Sequence, residues 1–373
     1  MVRTSTLLCA LLALAAAPLA AQATPVYTVA IVGDLGGSSS QPNAINNAGQ
    51  VAGFAYTPAN HVHAYVANGG TTIDLHPSGA SNSTATGIND AGTVVGSVDT
   101  ANGRRAAVFS NGSVQQLGTF GGTQSDAYGI NASGQVVGSA STVGNVDRHA
   151  FLSQGGSLID LGTLGGGNSE ASGIANNGAI TGWAEVNANG DYQAFVWQNG
   201  VMRSIGTLGG SFSQGYAIND AGMVAGYSGI AGDVASTAFL YANGTMVDIG
   251  GFGGWDSYAT DLNEAGEVVG AANDANGNYH AFVYADNKLQ DLNDLVDASL
   301  GWTIGYASSI NDKGQIAARG CRAGGQCASL VLTLADTGGG GDTPAGVPEP
   351  EAFTAGIAGL ALFGWLRRRR KQA

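Results

Sequence analysis

The chemistry open to this chain rests on carboxylates, tryptophans and one pair of cysteines. Asp126 and Glu170 stand at matching places in successive repeats, and two carboxylates facing each other across a cleft are the minimum for hydrolysing a glycosidic bond. Trp255, Asp256 and Trp302 add rings that stack on a sugar face and an acid that bonds its hydroxyls. Further acids fall in short loops at Asp147, Glu185, Asp191, Asp233 and Asp274. The turn Asn273-Asp274-Ala275-Asn276-Gly277-Asn278 is rich in oxygen. Calcium is the cation it would suit, although no terminal bidentate glutamate completes the loop. His63, His149 and His280 share one repeat position, which keeps them on separate units, whereas zinc needs ligands converging on one point. No metal site and no cofactor are therefore expected. Arg104, Arg105, Arg148 and Arg203 are dispersed, which leaves no arginine cluster for acidic sugars. No nucleophile elbow, His-Glu-x-x-His or phosphate loop is present.

These residues sit on a repeated frame. Its anchor is an Ile/Leu-Asn pair: Ile45-Asn46, Ile88-Asn89, Ile130-Asn131, Ile174-Ala175, Ile218-Asn219, Leu262-Asn263 and Ile310-Asn311. Successive anchors lie 43, 42, 44, 44, 44 and 48 residues apart. Each is followed by a turn such as Asn89-Asp90-Ala91-Gly92 and then by a short apolar run. A third segment starts near an alanine in every copy, at Ala64, Ala107, Ala150, Ala194, Ala238, Ala281 and Ala328. A fourth reads like Leu158-Ile159-Asp160-Leu161-Gly162. Val, Ile, Leu, Phe and Tyr in runs of this length fit pleated strands, and Gly, Asn, Asp and Ser supply the turns. Positions constant across copies, such as the anchor Asn and Ser40, Ser83, Ser125, Ser169, Ser213 and Ser257, are expected to be structural.

Four antiparallel strands per unit, repeated seven times, specify an all-β chain folded as a seven-bladed β-propeller. The last copy breaks into Gly338-Gly339-Gly340-Gly341 before a fourth strand, while an unpaired strand-like segment precedes the first copy over 27–36. Placing that segment in the last blade closes the ring and removes an exposed edge. Cys321 and Cys327 flank the hairpin of the last copy and are expected to form a disulfide.

Both ends of the chain carry targeting features. Arg3, an apolar stretch from Leu7 to Ala17 and Ala21-Gln22-Ala23 read as a secretory leader over 1–23, cut by signal peptidase. The repeat domain then runs over 24–336 and a Gly-rich linker over 337–346. The tail, 347–373, holds Val347, Pro348, Glu349 and Pro350, then an apolar membrane segment over 353–366, then Arg367, Arg368, Arg369, Arg370 and Lys371. Five successive cations stay on the cytoplasmic side of a bilayer and stop transfer there. Motif, apolar run and basic cluster in this order resemble the PEP-CTERM sorting signal of bacterial surface proteins. That resemblance implies transient anchoring at the inner membrane, an exosortase-type sorting protease as partner, and delivery to the envelope, outer surface or extracellular matrix. The phrases His149-Ala150-Phe151 and His280-Ala281-Phe282, with Gly-Thr-Leu-Gly-Gly ahead of two copies, resemble bacterial extracellular HAF repeats. The resemblance departs where the histidine position reads Ala106, Gln193, Thr237 and Cys327. It implies architecture and carries no reaction.

Between leader and tail the chain holds 8 of the 14 Lys+Arg and 25 of the 27 Asp+Glu, a formal charge of −17. A field of that sign disfavours nucleic acid. The expected function is a non-enzymatic component that binds or builds the envelope or an exopolysaccharide matrix. The alternative is a carbohydrate-active enzyme on the same scaffold.

Overall fold

Every repeat opens with alternating small and variable residues, as in Ser125-Asp126-Ala127-Tyr128-Gly129-Ile130. That period of two builds a strand with one face packed and the other free to vary. In the computed structural model, which describes residues 27–335, the chain forms 28 strands and three single-turn 3-10 helices. The leader, the Gly-rich linker, the motif at 347–350, the apolar run over 353–366 and the basic stop at 367–371 lie outside the described residues. Among the described residues no helix is long and apolar enough to cross a membrane.

The four strands of repeat one, Ser40–Ile45, Val51–Tyr56, Val62–Asn68 and Thr71–Asp74, pair in chain order. Repeats two, three and four do the same. Repeats five and six keep the pattern but join into one eight-stranded sheet through a single parallel bridge, Ser236 to Asp256. The remaining sheet draws on both ends of the chain. Tyr27–Val32 pairs antiparallel with Cys327–Leu334, which is followed by Ile316–Arg322 and Trp302–Ile310.

One irregularity recurs in all seven first strands. A β-bulge falls two residues before each anchor, as between Ala127 and Gly129, Ala259 and Asp261, and Ala307 and Ser309. A bulge leaves one residue unpaired and bends its strand. Opposite it, the second strand carries glycine in six repeats because nothing larger fits. A Cβ on Gly138 would lie 1.9 Å from the carbonyl oxygen of Asp126, and one on Gly182 1.9 Å from that of Glu170. From the third strand, buried Phe151 and Phe282 lie over the same glycine position.

Successive repeats are tied by three sets of contacts. Apolar side chains interleave, as where Val95 and Ala106 of repeat two meet Ala127, Val136 and Phe151 of repeat three. The constant serines accept from the third strand of the preceding repeat: Ala64 N–H donates to Ser83 Oγ at 2.9 Å, Ala106 N–H to Ser125 Oγ at 3.0 Å and Ser329 N–H to Ser40 Oγ at 2.9 Å. The anchor asparagines form a head-to-tail series. Asn46 Nδ2 donates to Asn89 O, Asn89 to Asn131 O, Asn131 to Ala175 O, Asn219 to Asn263 O, Asn263 to Asn311 O, and Asn311 to Asn46 O. Each Oδ1 also accepts within its own turn, as from Gln135 N–H at 3.0 Å for Asn131. The expected turn role of these residues is therefore half of what they do.

Strand register corrects two assignments made from the alanine pattern. Phe54 faces Ala64, Ser97 faces Ala106 and Arg319 faces Ser329. The equivalents of Ala64 are thus Ala106 and Ser329, where Ala107 and Ala328 were expected. The histidine position is accordingly Arg105 in repeat two and Ala328 in repeat seven. Where histidine or threonine stands there, it bonds an acid of the fourth strand: His63 with Asp74 at 2.8 Å, His149 with Asp160 at 2.8 Å, and Thr237 with Asp248 at 2.6 Å. The extra length of the last repeat forms two 3-10 turns, Leu292–Asp294 and Ala298–Leu300. Leu292, Leu295 and Val296 are buried in one cluster with Tyr27, whose N–H donates to Leu295 O at 2.7 Å.

Replacing Asn131 by alanine leaves buried partners on both sides of a repeat boundary unpaired, so Asn131→Ala is expected to cost about 2–3 kcal/mol of unfolding free energy. Ser133→Ala, an exposed change in the same turn, is expected to cost below about 0.5 kcal/mol. Urea unfolding followed by tryptophan fluorescence compares them, and equal midpoints would remove the inter-repeat role.

Candidate functional site

Each bulge turns its unpaired residue inward. These residues are Asn43, Thr86, Tyr128, Ser172, Tyr216, Thr260 and Ser308, and all seven line a single cavity of about 490 Å³. None is aliphatic. Three of them also brace the neighbouring repeat: Asn43 Nδ2 donates to Ala85 O, Thr86 Oγ1 to Ala127 O and Thr260 Oγ1 to Ala307 O, each at 2.7 Å. Beside this cavity a smaller space of about 210 Å³ is lined by five of the anchor asparagines, Asn46, Asn89, Asn131, Asn263 and Asn311, with Asp90, Glu264 and Asp312. Those acids are engaged, since Asn47 N–H donates to Asp90 and Glu264 N–H to Asp312.

Above the bulges the wall is aromatic on one side and ionic on the other. Tyr216 stacks on Tyr227 with centroids 5.7 Å apart, and Phe212, Tyr192 and Trp183 continue the series at 6.1, 5.8 and 5.4 Å. Tyr258 stands 6.3 Å from Tyr306 and 5.7 Å from Tyr279. On the opposite side Asp126 is held between two guanidiniums, Arg104 Nε on Oδ1 and Arg148 Nη2 on Oδ2 at 2.9 Å. Arg148 also donates to Ser139 Oγ at 2.7 Å, and that hydroxyl reaches Glu170 Oε2 at 3.3 Å. Two of the four arginines read as dispersed in the sequence, Arg104 and Arg148, are brought together here because they stand one repeat apart and so on neighbouring sheets, while Arg203 lies exposed on the fourth strand of repeat four.

The two carboxylates of the expected pair have opposite characters. Burial works against ionisation of Asp126, but the bonds and charges of Arg104 and Arg148 outweigh it and hold the group below the usual carboxylate range. Burial pushes Glu170 up, against the opposing pull of Tyr128, Arg148, Trp183 and Ser139. Glu170 lines the cavity. A third acid, Asp261, was not anticipated. It sits between the bulge and the anchor of repeat six, accepts from Ser309 Oγ at 2.5 Å and from the N–H groups of Ile310 and Leu262, and burial pushes it up to about 6.

The other expected residues do not converge on this cavity. Trp255 is 56% exposed and lies against the hairpin glycine Gly277. Asp256 accepts from Ser236 Oγ at 2.7 Å. Trp302 is half-buried with the Arg322 guanidinium 4.2 Å above its ring. Cys321 and Cys327 face each other across the last hairpin and are joined. Several loop acids cap turns, since Glu185 accepts from Gly167 N–H at 2.8 Å and Asp233 from Ser211 N–H at 2.8 Å. In the oxygen-rich turn, bonds from the backbone and side chain of Asn278, then from Asn276, pull Asp274 down to about 2. Among the described residues no group of three or more His, Cys, Asp or Glu is placed to hold a metal. The bulged residues, which sequence reasoning missed, carried one signal: each stands two residues before its anchor Ile or Leu and varies there, inside a frame that reads Ser-x-Ala-x-Gly-Ile in repeats two, three and four.

No family model matches this sequence, and no curated protein matches it. Solved structures do match in shape. The β-propeller domain of the Trilobed protease from Pyrococcus furiosus, described as having an open velcro topology, is 11% identical with a TM-score of 0.50, over 81% of this chain and 99% of that one. A puromycin-hydrolysing peptidase of Mycobacterium tuberculosis is 12% identical with a TM-score of 0.51, over 83% of this chain and 53% of that one, so this chain spans about half its length. A putative TolB from Agrobacterium tumefaciens is 13% identical with a TM-score of 0.44, over 60% of this chain and 84% of that one. At 11% identity the likeness to the Pyrococcus domain shows a β-propeller fold and nothing of activity.

Asp261 makes stability pH-dependent. Its carboxyl is pushed from 3.8 to about 6 on folding, so between those values the folded chain binds a proton that the unfolded chain has released. Stability therefore falls as pH rises through this window and is level above it. Glu170 and Glu264, also raised, add slopes of the same sign. Urea midpoints measured from pH 4 to 7 should decline less steeply in Asp261→Asn than in the wild type, and parallel curves would assign the slope elsewhere.

Proposed function

We propose that this chain is an exported, surface-sorted, non-enzymatic β-propeller that binds a polysaccharide of the cell envelope or extracellular matrix in its central cavity. The finer architecture proposed is seven four-stranded blades, the last completed by Tyr27–Val32. The pairing of that strand with Cys327–Leu334 supports it, as do the bonds from Asn311 to Asn46 and from Ser329 to Ser40. The observation that carries the functional reading is the bulge common to every first strand, which aims hydroxyls and amides at one space. Polar groups of this kind match the donors and acceptors of a sugar ring, and the tyrosines beside them offer stacking faces.

The enzyme reading has one observation in its favour, the raised carboxyl of Glu170 in the cavity wall, since a general acid must keep its proton. Its weakness lies in the partner. Glycoside hydrolysis needs a second carboxylate free to attack or to activate water, and both oxygens of Asp126 are occupied by guanidiniums. The binding reading is therefore preferred.

The sorting reading rests on the sequence of the two ends. A leader removed by signal peptidase and a tail handled by an exosortase-type protease at the inner membrane would deliver the propeller to the surface. Intact-mass measurement of the protein from its native envelope is expected to show a start at Thr24 and loss of residues 367–371. A surface product that still carries Arg367–Lys371 would overturn the sorting reading.

Purified residues 24–346, screened against extracted surface polysaccharides, are expected to bind at least one polymer without releasing oligosaccharide. Tyr216→Phe and Glu170→Ala each remove a cavity hydrogen-bonding group and are expected to weaken that binding by about tenfold. Oligosaccharide release abolished by Glu170→Gln would establish the enzyme in place of the binder.

A further inference from the structure

Of the cations near the mouth of the cavity, one is uncommitted. Arg104 and Arg148 are spent on Asp126, and Arg322 lies over Trp302. Arg319, half-buried on strand Ile316–Arg322, makes no side-chain hydrogen bond or ion pair among the described residues. It occupies the second-strand position that holds Phe54 in repeat one and Trp183 in repeat four, one residue beyond the constant glycine. A half-buried, unpaired charge is costly to keep, and in a body of formal charge −17 it stands out from its surroundings.

Arg319 lines a cleft of about 590 Å³ together with Gln41, Phe54, Tyr258, Tyr279 and Tyr306. Tyr258, Tyr306 and Asn43 line both this cleft and the central cavity, so the two spaces adjoin. The cleft opens where one tie between repeats is missing. Six first strands carry the serine whose hydroxyl accepts from the preceding repeat, but the last carries Gly305. The strand is also bulged at that point, between Ile304 and Tyr306, and a Cβ on Gly305 would lie 3.3 Å from Tyr279 O. The missing tie is therefore built into the sequence of repeat seven, where the backbone passes close to Tyr279 O.

We infer that this cleft takes a uronic acid residue of the polysaccharide, its carboxylate bonded by the Arg319 guanidinium and its neutral neighbours stacked along Tyr258, Tyr279 and Tyr306. A guanidinium forks onto a carboxylate through two parallel N–H donors, and the phenols and the Gln41 amide are left for hydroxyls. The acidic body sets a limit on the ligand. A polymer charged at every residue is repelled by it, so an isolated uronate flanked by neutral sugars suits the site. This assignment rests on the polysaccharide-binding reading above and narrows it.

The test uses an oligosaccharide in which glucuronate alternates with a neutral hexose, and the same oligosaccharide after reduction of its carboxyl groups. Calorimetric titration of residues 24–346 should show the acidic form bound about 10–100-fold more tightly than the reduced form. Arg319→Gln should lose that preference while binding the reduced form as the wild type does. Arg203→Gln, on the exposed fourth strand of repeat four, should change neither. Gly305→Ser, which puts a side chain against Tyr279 O, should weaken both forms. Equal affinity of the wild type for the two forms, or a preference that survives in Arg319→Gln, overturns the assignment and leaves the polysaccharide reading standing. Failure of both forms to bind overturns the assignment, and the polysaccharide reading falls with it only if residues 24–346 also bind none of the extracted surface polysaccharides.

Discussion

A carbonyl pressed against a glycine is the contact on which this repeat is built. The first strand bends at its bulge until the oxygen of Asp126, Glu170 or their equivalents lies where a second-strand Cβ would have to be. With no Cβ there, the third-strand aromatic settles over the same spot, as Phe151 and Phe282 do. The bend also releases one residue from the ladder and turns it toward the centre. Packing and binding surface thus have one origin, and a side chain at the glycine would disturb both. Repeat seven departs from the pattern, with Ala318 in place of glycine and a second bulge at Gly305, and it is the repeat beside which the side cleft opens.

Much of the scaffold was legible in the sequence. The anchor pair, the turn after it and the small residues before it recur so regularly that strand order within each sheet follows from them. What could not be read was register at the level of single residues. In repeat two, Arg104-Arg105-Ala106-Ala107 offers two adjacent alanines, and only pairing with Ser97 and Gly96 shows which of them equals Ala64. A one-residue slip of that kind moves a side chain to the opposite face of the sheet. The same limit hid the site. A bulge leaves the alternation of burial unbroken, as through Ser169–Ile174, so nothing in the period-two pattern marks Tyr128 and Tyr216 as the residues it releases from the ladder. Asp126 and Glu170 were found because acids stand out by type, but the arginines that neutralise Asp126 are remote in sequence and close in space only because sheets follow one another.

Charge is distributed with the same economy. Five of the eight cations between leader and tail, Arg104, Arg105, Arg148, Arg319 and Arg322, lie near the hairpins that join second to third strands. The same hairpins also carry the acids Asp147, Glu185, Asp191, Asp233 and Asp274, while the narrower space is lined by asparagines with Asp90, Glu264 and Asp312. Cations and acids are therefore interleaved at one end of the sheets, where Arg104 and Arg148 meet Asp126, and no cation lines the narrower space.

The pairing of Tyr27 with Leu334 places the two ends of the described chain side by side at one end of a strand pair. A load applied to both ends pulls the strands apart from that end, breaking one rung at a time in the manner of a zip. Strands pulled in opposite directions along their length would instead share the load across every rung. The sheet that holds both ends is therefore mechanically the softest, and the other sheets, with no free end, are shielded until that strand pair has parted.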